Sequence, residues 1–365
     1  MKIIDVINCL ESVAPRPLQE DYDNAGLLTG NSNEECTGII TTLDVTEEII
    51  AEAVQRKYNL VVAHHPVIFR SIKNLTGKNY VERTVIAAIK NNIAIYAIHT
   101  NLDNVLNGVN KKIAEKLNLH NISVLLPKEN ILKKLVTFCP EKNAGEIRNA
   151  LFAAGAGMIG NYSECSFNAA GSGTFKAGEG ARPFVGNMGE RHYENEIRVE
   201  VIFPSYAEGN LVNQLKNAHP YEEVAYDIYP LNNTRNDVGS GLVGILEQEI
   251  SAEALFSMIK EQFGLSVIRH TALPGKKISK IAVCGGAGSF LVGAAIAAGA
   301  GIYITSDIKY HEFFDAGGKI ILADIGHYES EQFTMDLLVD ILSQKFPNFA
   351  VRKTEINTNP VQYYL

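Results

Sequence analysis

The chain has 365 residues, a net charge of -8 and a sequence pI near 5.7. That length exceeds one typical domain and allows a substantial core, and the acidic balance gives no basic footprint for nucleic acid or an anionic membrane. The five cysteines, Cys9, Cys36, Cys139, Cys165 and Cys284, include no Cys-x-x-Cys and are odd in number, which argues against a disulfide framework and for reduced thiols in a cytoplasmic protein.

The first predicted element is an amphipathic helix. Ile3, Ile7 and Leu10 fall at helical spacing, and Asp5 and Glu11 interrupt the apolar stretch, so it does not read as a signal peptide. Residues 39–65 then read as strand, Asp44-Val-Thr turn, helix with Ile49, Ile50, Ala53 and Val54 on one face, and a second strand that runs into His64, His65 and Pro66. Side chains alternate across a strand, so adjacent imidazoles converge only where the strand ends. Pro66 holds His65 extended and stops the ladder there. Another strand, near Ile95, leads to His99 and then Asp103.

Composition changes over residues 128–231. Two glycine-rich runs, Gly155-Ala-Gly-Met-Ile-Gly160 and Gly171-Ser-Gly-Thr-Phe-Lys-Ala-Gly-Glu-Gly180, lie between alternating strands such as Glu196-Ile-Arg-Val-Glu-Val-Ile-Phe203. The glycines read first as turns and subunit contacts. The order strand, helix, strand, strand, helix, strand suits an inserted ferredoxin-like α+β module, too long for a loop and long enough to fold alone.

A repeat of the first βαβ unit follows. Residues 281–307 read strand, Gly285-Gly-Ala-Gly-Ser289 turn, helix, strand, displaced by 242 positions without gaps, from Ile39 to Ile281 and from His64 to Ser306. The turn lacks the Gly-Lys-Ser/Thr of a Walker motif. Its glycines serve either tight turning or a phosphate held by backbone N–H groups. The small-apolar run 290–305 is too short to span a bilayer. A last strand ends at Asp324, and Gly326 and His327 open a helical stretch over 328–344 on which His327 and Glu331 are four apart, on one face. The expected domains are therefore 1–127 and 236–365, two similar α/β halves facing each other, with 128–235 inserted.

His64, His65, Asp103, His327 and Glu331 each stand at or just beyond a strand's carboxyl end, where open α/β sheets place their sites. Each alone has a structural reading, as a packed histidine or a helix N-terminal acid. Together they exceed the three protein ligands of one catalytic metal. Two ions about 3.5–4 Å apart would use all five, with Glu331 as the bridge. Histidine with carboxylate suits zinc, iron, manganese, cobalt or nickel.

Ala63-His-His-Pro66, His99-Thr-Asn-Leu-Asp103, Val283-Cys-Gly-Gly-Ala-Gly-Ser289, Thr305-Ser-Asp-Ile-Lys309 and Gly326-His327 with Glu331 resemble the GTP cyclohydrolase I type 2 homologs, the NGG-interacting-factor family. Gly160-Asn-Tyr-Ser-Glu-Cys165 and His219-Pro-Tyr-Glu-Glu223 resemble the PII/CutA-like insert of the longer bacterial members. One departure is Tyr22 before Asp23-Asn24, where the family commonly has Trp. The resemblance implies a dinuclear site of the five residues and a toroidal homohexamer whose inserts cap the central cavity.

The expected chemistry is hydrolysis of a nucleotide or related heterocycle. For GTP it would mean attack at the purine C8, ring opening and loss of formate. His311 is a candidate general acid or base, and His99 a candidate for orienting a ligand. Lys309 either balances a substrate phosphate or is simply solvated. The alternative is a non-catalytic metal carrier or a protein that senses a small ligand, since the same ligand set serves both. Partner binding in transcription ranks third, given the acidic charge.

Overall fold

A short, apolar strand buried on both faces needs no alternation, and Leu60–Ala63 and Ala94–Ala97 are such strands. A computed structural model describes residues 1–273 and 275–364. Helix α1 (Ile3–Val13) precedes β1 (Gly26–Thr29), β2 (Ile39–Thr42), α2 (Glu47–Arg56), β3 (Leu60–Ala63), α3 (Tyr80–Lys90), β4 (Ala94–Ala97), α4 (Thr100–Asp103), α5 (Val109–Lys116) and β5 (His120–Pro127). Every residue of β2, β3 and β4 is buried. Helix α2 carries Glu47 and Glu48 in its first turn and Arg56 in its last, matching its dipole at both ends. Helix α3 starts where the Asn79 side chain accepts from the Glu82 amide.

The inserted segment supplies β6 (Leu132–Pro140), α6 (Ala144–Ala153), β7 (Phe167–Lys176), β8 (Arg191–Pro204), α7 (Glu208–Ala218) and β9 (Tyr226–Leu231). The chain then returns through β10 (Gly239–Ile250), α8 (Ala252–Phe263), β11 (Arg269–His270), β12 (Ile278–Ala287), α9 (Val292–Ala297), β13 (Ile302–Ser306), β14 (Ile321–Asp324), α10 (His327–Glu331), α11 (Thr334–Lys345) and β15 (Val351–Lys353). By internal contacts the chain divides into two compact units, one of residues 1–127 with 237–365 and the other of residues 128–236.

In the first unit one sheet runs β1-β4-β3-β2-β15 and another β11-β14-β13-β12-β10-β5. Parallel pairing joins β2 to β3 with Ile39 opposite Leu60, and β12 to β13 with Ile281 opposite Ile302. The displacement of 242 positions read in the sequence is thus also a displacement of strand register. Each sheet continues in parallel to a third strand, Leu60 opposite Ala94 and Ile302 opposite Ile321. The halves exchange outer strands: β5 pairs with β10 in the second sheet, and β15 pairs with β2 in the first. A cut at residue 127 therefore follows the start of the insert and not the edge of a sheet.

Period-two geometry decides which side of the second sheet each residue covers. Ile281, Val283, Ile302, Ile304 and Ile321 pack with α5 and α8 residues such as Ile113, Leu255 and Ile259. The intervening Ala282, Cys284, Tyr303 and Leu322 pack with Leu291, Val292 and Ala295 of the α9 side. Each fully buried aliphatic side chain contributes about 1.5–3 kcal/mol.

The second unit is a four-stranded antiparallel sheet, β7-β8-β6-β9, with α6 and α7 covering it. Its own core includes Leu135, Ile147, Leu151, Val201, Phe203, Leu211 and Leu215. The second glycine-rich run is mostly strand, with Gly171 and Gly173 inside β7. A Cβ on Gly173 would lie 2.0 Å from a carboxylate oxygen of Glu196, so a close approach explains that glycine.

All five cysteines are free. Among the described residues no helix is long and apolar enough to cross a membrane.

Candidate metal centre

The parallel strands of both sheets deliver polar side chains at their carboxyl ends. Strand β3 stops at Ala63, and the His64 and His65 amides keep backbone bonds to Thr42, the last residue of β2, and to Leu43 just past it. Asp103 is the last residue of the single-turn α4 that follows β4. Past β14, Gly326 adopts φ 90° and turns the chain into α10, whose buried Glu331 lies one turn beyond His327. The stretch 328–344 is not one helix, because it breaks between α10 and α11 at Gln332 and Phe333.

These ends meet. Glu331 Oε2 lies 2.9 Å from His65 Nε2 and 3.1 Å from His327 Nε2, which are 3.2 Å from each other. Its other oxygen, Oε1, lies 3.7 Å from His64 Nε2, and His64 Nε2 lies 3.6 Å from Asp103 Oδ1. Two donor groups result, His65, His327 and Glu331 on one side and His64, Asp103 and Glu331 on the other. A third grouping joins His64 and His65 to His99, whose ring centroid is 5.3 and 5.4 Å from theirs.

Partners fix the tautomers. His64 Nδ1 is 2.9 Å from the Ile98 carbonyl, which can only accept, so Nδ1 carries the proton and Nε2 keeps a lone pair. His65 Nδ1 donates to Asp44 Oδ1 at 2.8 Å, His327 Nδ1 to Asp307 Oδ2 at 2.6 Å, and His99 Nδ1 to Asp23 Oδ1 at 2.8 Å. Each carboxylate orients an imidazole, as outer partners of metal-ligating histidines do. Sequence reasoning missed Asp44, Asp307 and Asp23. The position of Asp44 and Asp307 just past β2 and β13 was the available signal.

The donor set fits a cation. His64 Nε2 and Asp103 Oδ1 are buried with no hydrogen-bond partner, a costly condition unless something positive satisfies them. Two imidazole lone pairs and a carboxylate oxygen about 3 Å apart likewise need a shared positive charge. Without a metal, protons supply it. Burial opposes charging His65, yet its bonds to Asp44 and Glu331 raise its pKa to about 9. Burial also opposes charging His327, but the Glu331 charge and the Asp307 bond lift it to about 11. Burial and the neighbouring Glu331 charge push Asp103 upward. Despite burial, His65 and Thr358 hold Asp44 below its usual range.

The candidate acid or base His311 lies elsewhere. It is exposed in the 3-10 turn Tyr310–Ala316, with its ring against Tyr310 and Phe314, and is not among the residues lining the cavity at the cluster. Asp307 takes φ 55° directly after β13, and this left-handed turn brings Asp307, not His311, back toward His327. Lys309 is exposed, and its backbone amide bonds Glu312.

The Gly285 to Ser289 turn is likewise explained by packing. The Gly285 amide donates to Asn110 Oδ1 at 2.9 Å and the Gly286 amide to Ser330 Oγ at 3.0 Å, so these N–H groups are already used. Gly286 has φ 65°, and a Cβ there would stand 2.3 Å from Glu331 Oε1. The glycine lets α10 bring its carboxylate against the strand end.

A cavity of about 650 Å³ opens in front of the cluster, lined by His65, His99 and His327 together with Phe69, Tyr328 and Tyr363 among others. The profile of the Duf34/NIF3 (NGG1p interacting factor 3) family matches residues 1–360. The "GTP cyclohydrolase 1 type 2 homolog" of Bacillus subtilis (strain 168) is 36% identical over 366 residues, covering 98% of this chain and 97% of that protein. Its counterpart in Staphylococcus aureus (strain MSSA476) is 32% identical over 368 residues, with both chains fully covered. The crystal structure of a Bacillus cereus protein related to NIF3 superposes with a TM-score of 0.85 at 34% identity, over 100% of this chain and 99% of that one. With the profile running almost from end to end and full-length relatives above 30% identity, this chain belongs to the Duf34/NIF3 family.

Proposed function

We propose that the protein is a dinuclear metal-dependent hydrolase of a nucleotide or related heterocycle, its centre lying between two facing α/β halves. The observation that carries this reading is the disposition of Glu331, whose two oxygens face two different donor groups. His65 and His327 with Oε2 would hold one ion, and His64 and Asp103 with Oε1 the other. Such a pair, when bound, polarises the group under attack and makes water a nucleophile near neutrality.

The chain's own residues supply the rest. Asp44 and Asp307 hold the Nδ1 protons of His65 and His327, which leaves each Nε2 to the centre. His99, held by Asp23 through Nδ1, keeps Nε2 for proton transfer at the rim of the cavity and replaces His311 in that role. The nitrogen and oxygen donors suit zinc, iron, manganese, cobalt or nickel. A cytoplasmic homohexamer is part of the same reading.

A metal carrier is the second reading, favoured by the extra carboxylate Glu329 that lines the cavity beyond the ligands. Incubation of the metal-loaded protein with a panel of nucleotides, nucleosides and free bases that includes GTP, followed by mass spectrometry, separates the two. Metal-dependent product formation that Glu331→Ala abolishes supports the hydrolase. Two bound metals with no turnover, and reversible transfer of metal to a chelator, would support the carrier.

A further inference from the structure

The cavity in front of the cluster carries four carboxylates besides the ligands, Asp44, Asp307, Asp324 and Glu329, and among its described lining residues one guanidinium, Arg269. Arg269 is already engaged. Its Nη1 donates to Asp324 Oδ2 at 3.0 Å, its Nη2 donates to the Ile308 carbonyl at 2.9 Å, and its plane lies over Phe313. With two divalent ions in place, Asp103, Glu331, Asp44 and Asp307 would match their charge, Arg269 and Asp324 would cancel, and Glu329 would remain in excess. A polyphosphate extending away from the ions would meet carboxylates and no free cation, and like charge at close range is strongly unfavourable.

The rest of the lining suits a different ligand. Phe69, Tyr328 and Tyr363 offer flat apolar surface, and aromatic rings stack well on planar heterocycles. Glu329 Oε1 accepts from Asn359 Nδ2 at 3.1 Å, which leaves carboxylate lone pairs to accept from ring N–H or exocyclic amino groups.

We infer that this chamber takes a flat, amino-bearing heterocycle that is neutral or cationic and carries no polyphosphate chain, and that Glu329 enforces the selection. The inference rests on reading the cavity as the substrate chamber of the metal centre. It sets guanosine, and not GTP, as the better probe.

The test is calorimetric titration of guanosine and of GTP into the full-length protein, metal-loaded and metal-free, with metal content measured again after each run because GTP chelates metal. Guanosine should bind the loaded protein at least about tenfold more tightly than GTP. Glu329→Gln, which keeps an acceptor for Asn359, should narrow that gap about threefold or more by removing one charge. GTP binding as tightly as guanosine, binding of neither, an unchanged ratio in Glu329→Gln, or guanosine binding that ignores removal of the metal would each overturn the inference. Guanosine preference without turnover would uphold the selectivity and count against the hydrolase reading alone.

Discussion

At the scale of single residues, the site depends on which ring nitrogen carries a proton. Asp44→Asn replaces an ionised acceptor with an amide that holds His65 less firmly in the tautomer with Nε2 free. Loss of such an outer partner typically costs about 10–100-fold in metal affinity, and competition with a chromophoric chelator should report a fall in that range while the circular dichroism spectrum is unchanged. Protonation gives a second expectation. His65 and His327, with pKa values raised to about 9 and about 11, hold protons at pH 7 in the metal-free protein. Ligation needs those positions free, so metal uptake releases protons and affinity rises with pH, steeply up to about 9 and more gently on toward about 11. Titrations in buffers of different ionisation enthalpy should therefore give different heats, and buffer-independent heats would contradict the assignment. The five ligand candidates were legible because each follows an apolar strand, a pattern visible along the chain. Asp23, Asp44 and Asp307 were not, because a lone aspartate in a turn is common and its imidazole partner lies 20 or more positions away. His311 stands outside the cavity lining, and the left-handed turn at Asp307 that brings Asp307 back toward His327 leaves no strong local signal in the sequence.

At the scale of elements, the glycines near the carboxyl end of β12, Gly285 and Gly286, give the sharpest expectation. Gly286→Ala puts a methyl 2.3 Å from Glu331 Oε1 on a backbone of φ 65°, where a side chain is strained. Either the carboxylate or the strand end must shift, so metal content should fall by at least half and thermal stability should drop; normal metal content in this variant would remove the role assigned to the turn. Gly285→Ala is the milder comparison, with its nearest contact at 3.0 Å and no positive φ. The βαβ repeat was readable because the spacing from first strand to second is the same in both copies, and the strand register keeps that spacing, Ile39 opposite Leu60 and Ile281 opposite Ile302, although α2 has ten residues and α9 six. The exchange of β5 and β15 was not, since edge pairing is decided by which sheet has an open neighbour and neither strand encodes that locally. The break between α10 and α11 was hidden for a related reason: the residues at Gln332 and Phe333 include no Gly or Pro to mark it.

At the scale of the whole molecule, each compact unit has its own core. Residues 128–236 bury Leu135, Ile147, Val201, Phe203 and Leu211 among themselves, so this segment expressed alone should fold cooperatively and show a single thermal transition; an unfolded isolated segment would contradict its reading as a module. The other unit is discontinuous in sequence, because strands from both of its segments complete each sheet. In the proposed function Glu331 bridges two ions. The most direct test is anomalous diffraction from crystals of metal-loaded protein. Two peaks about 3.5–4 Å apart are expected, one beside each Glu331 oxygen, with His65 and His327 at the first and His64 and Asp103 at the second. A single peak, or none at these five residues, would contradict it.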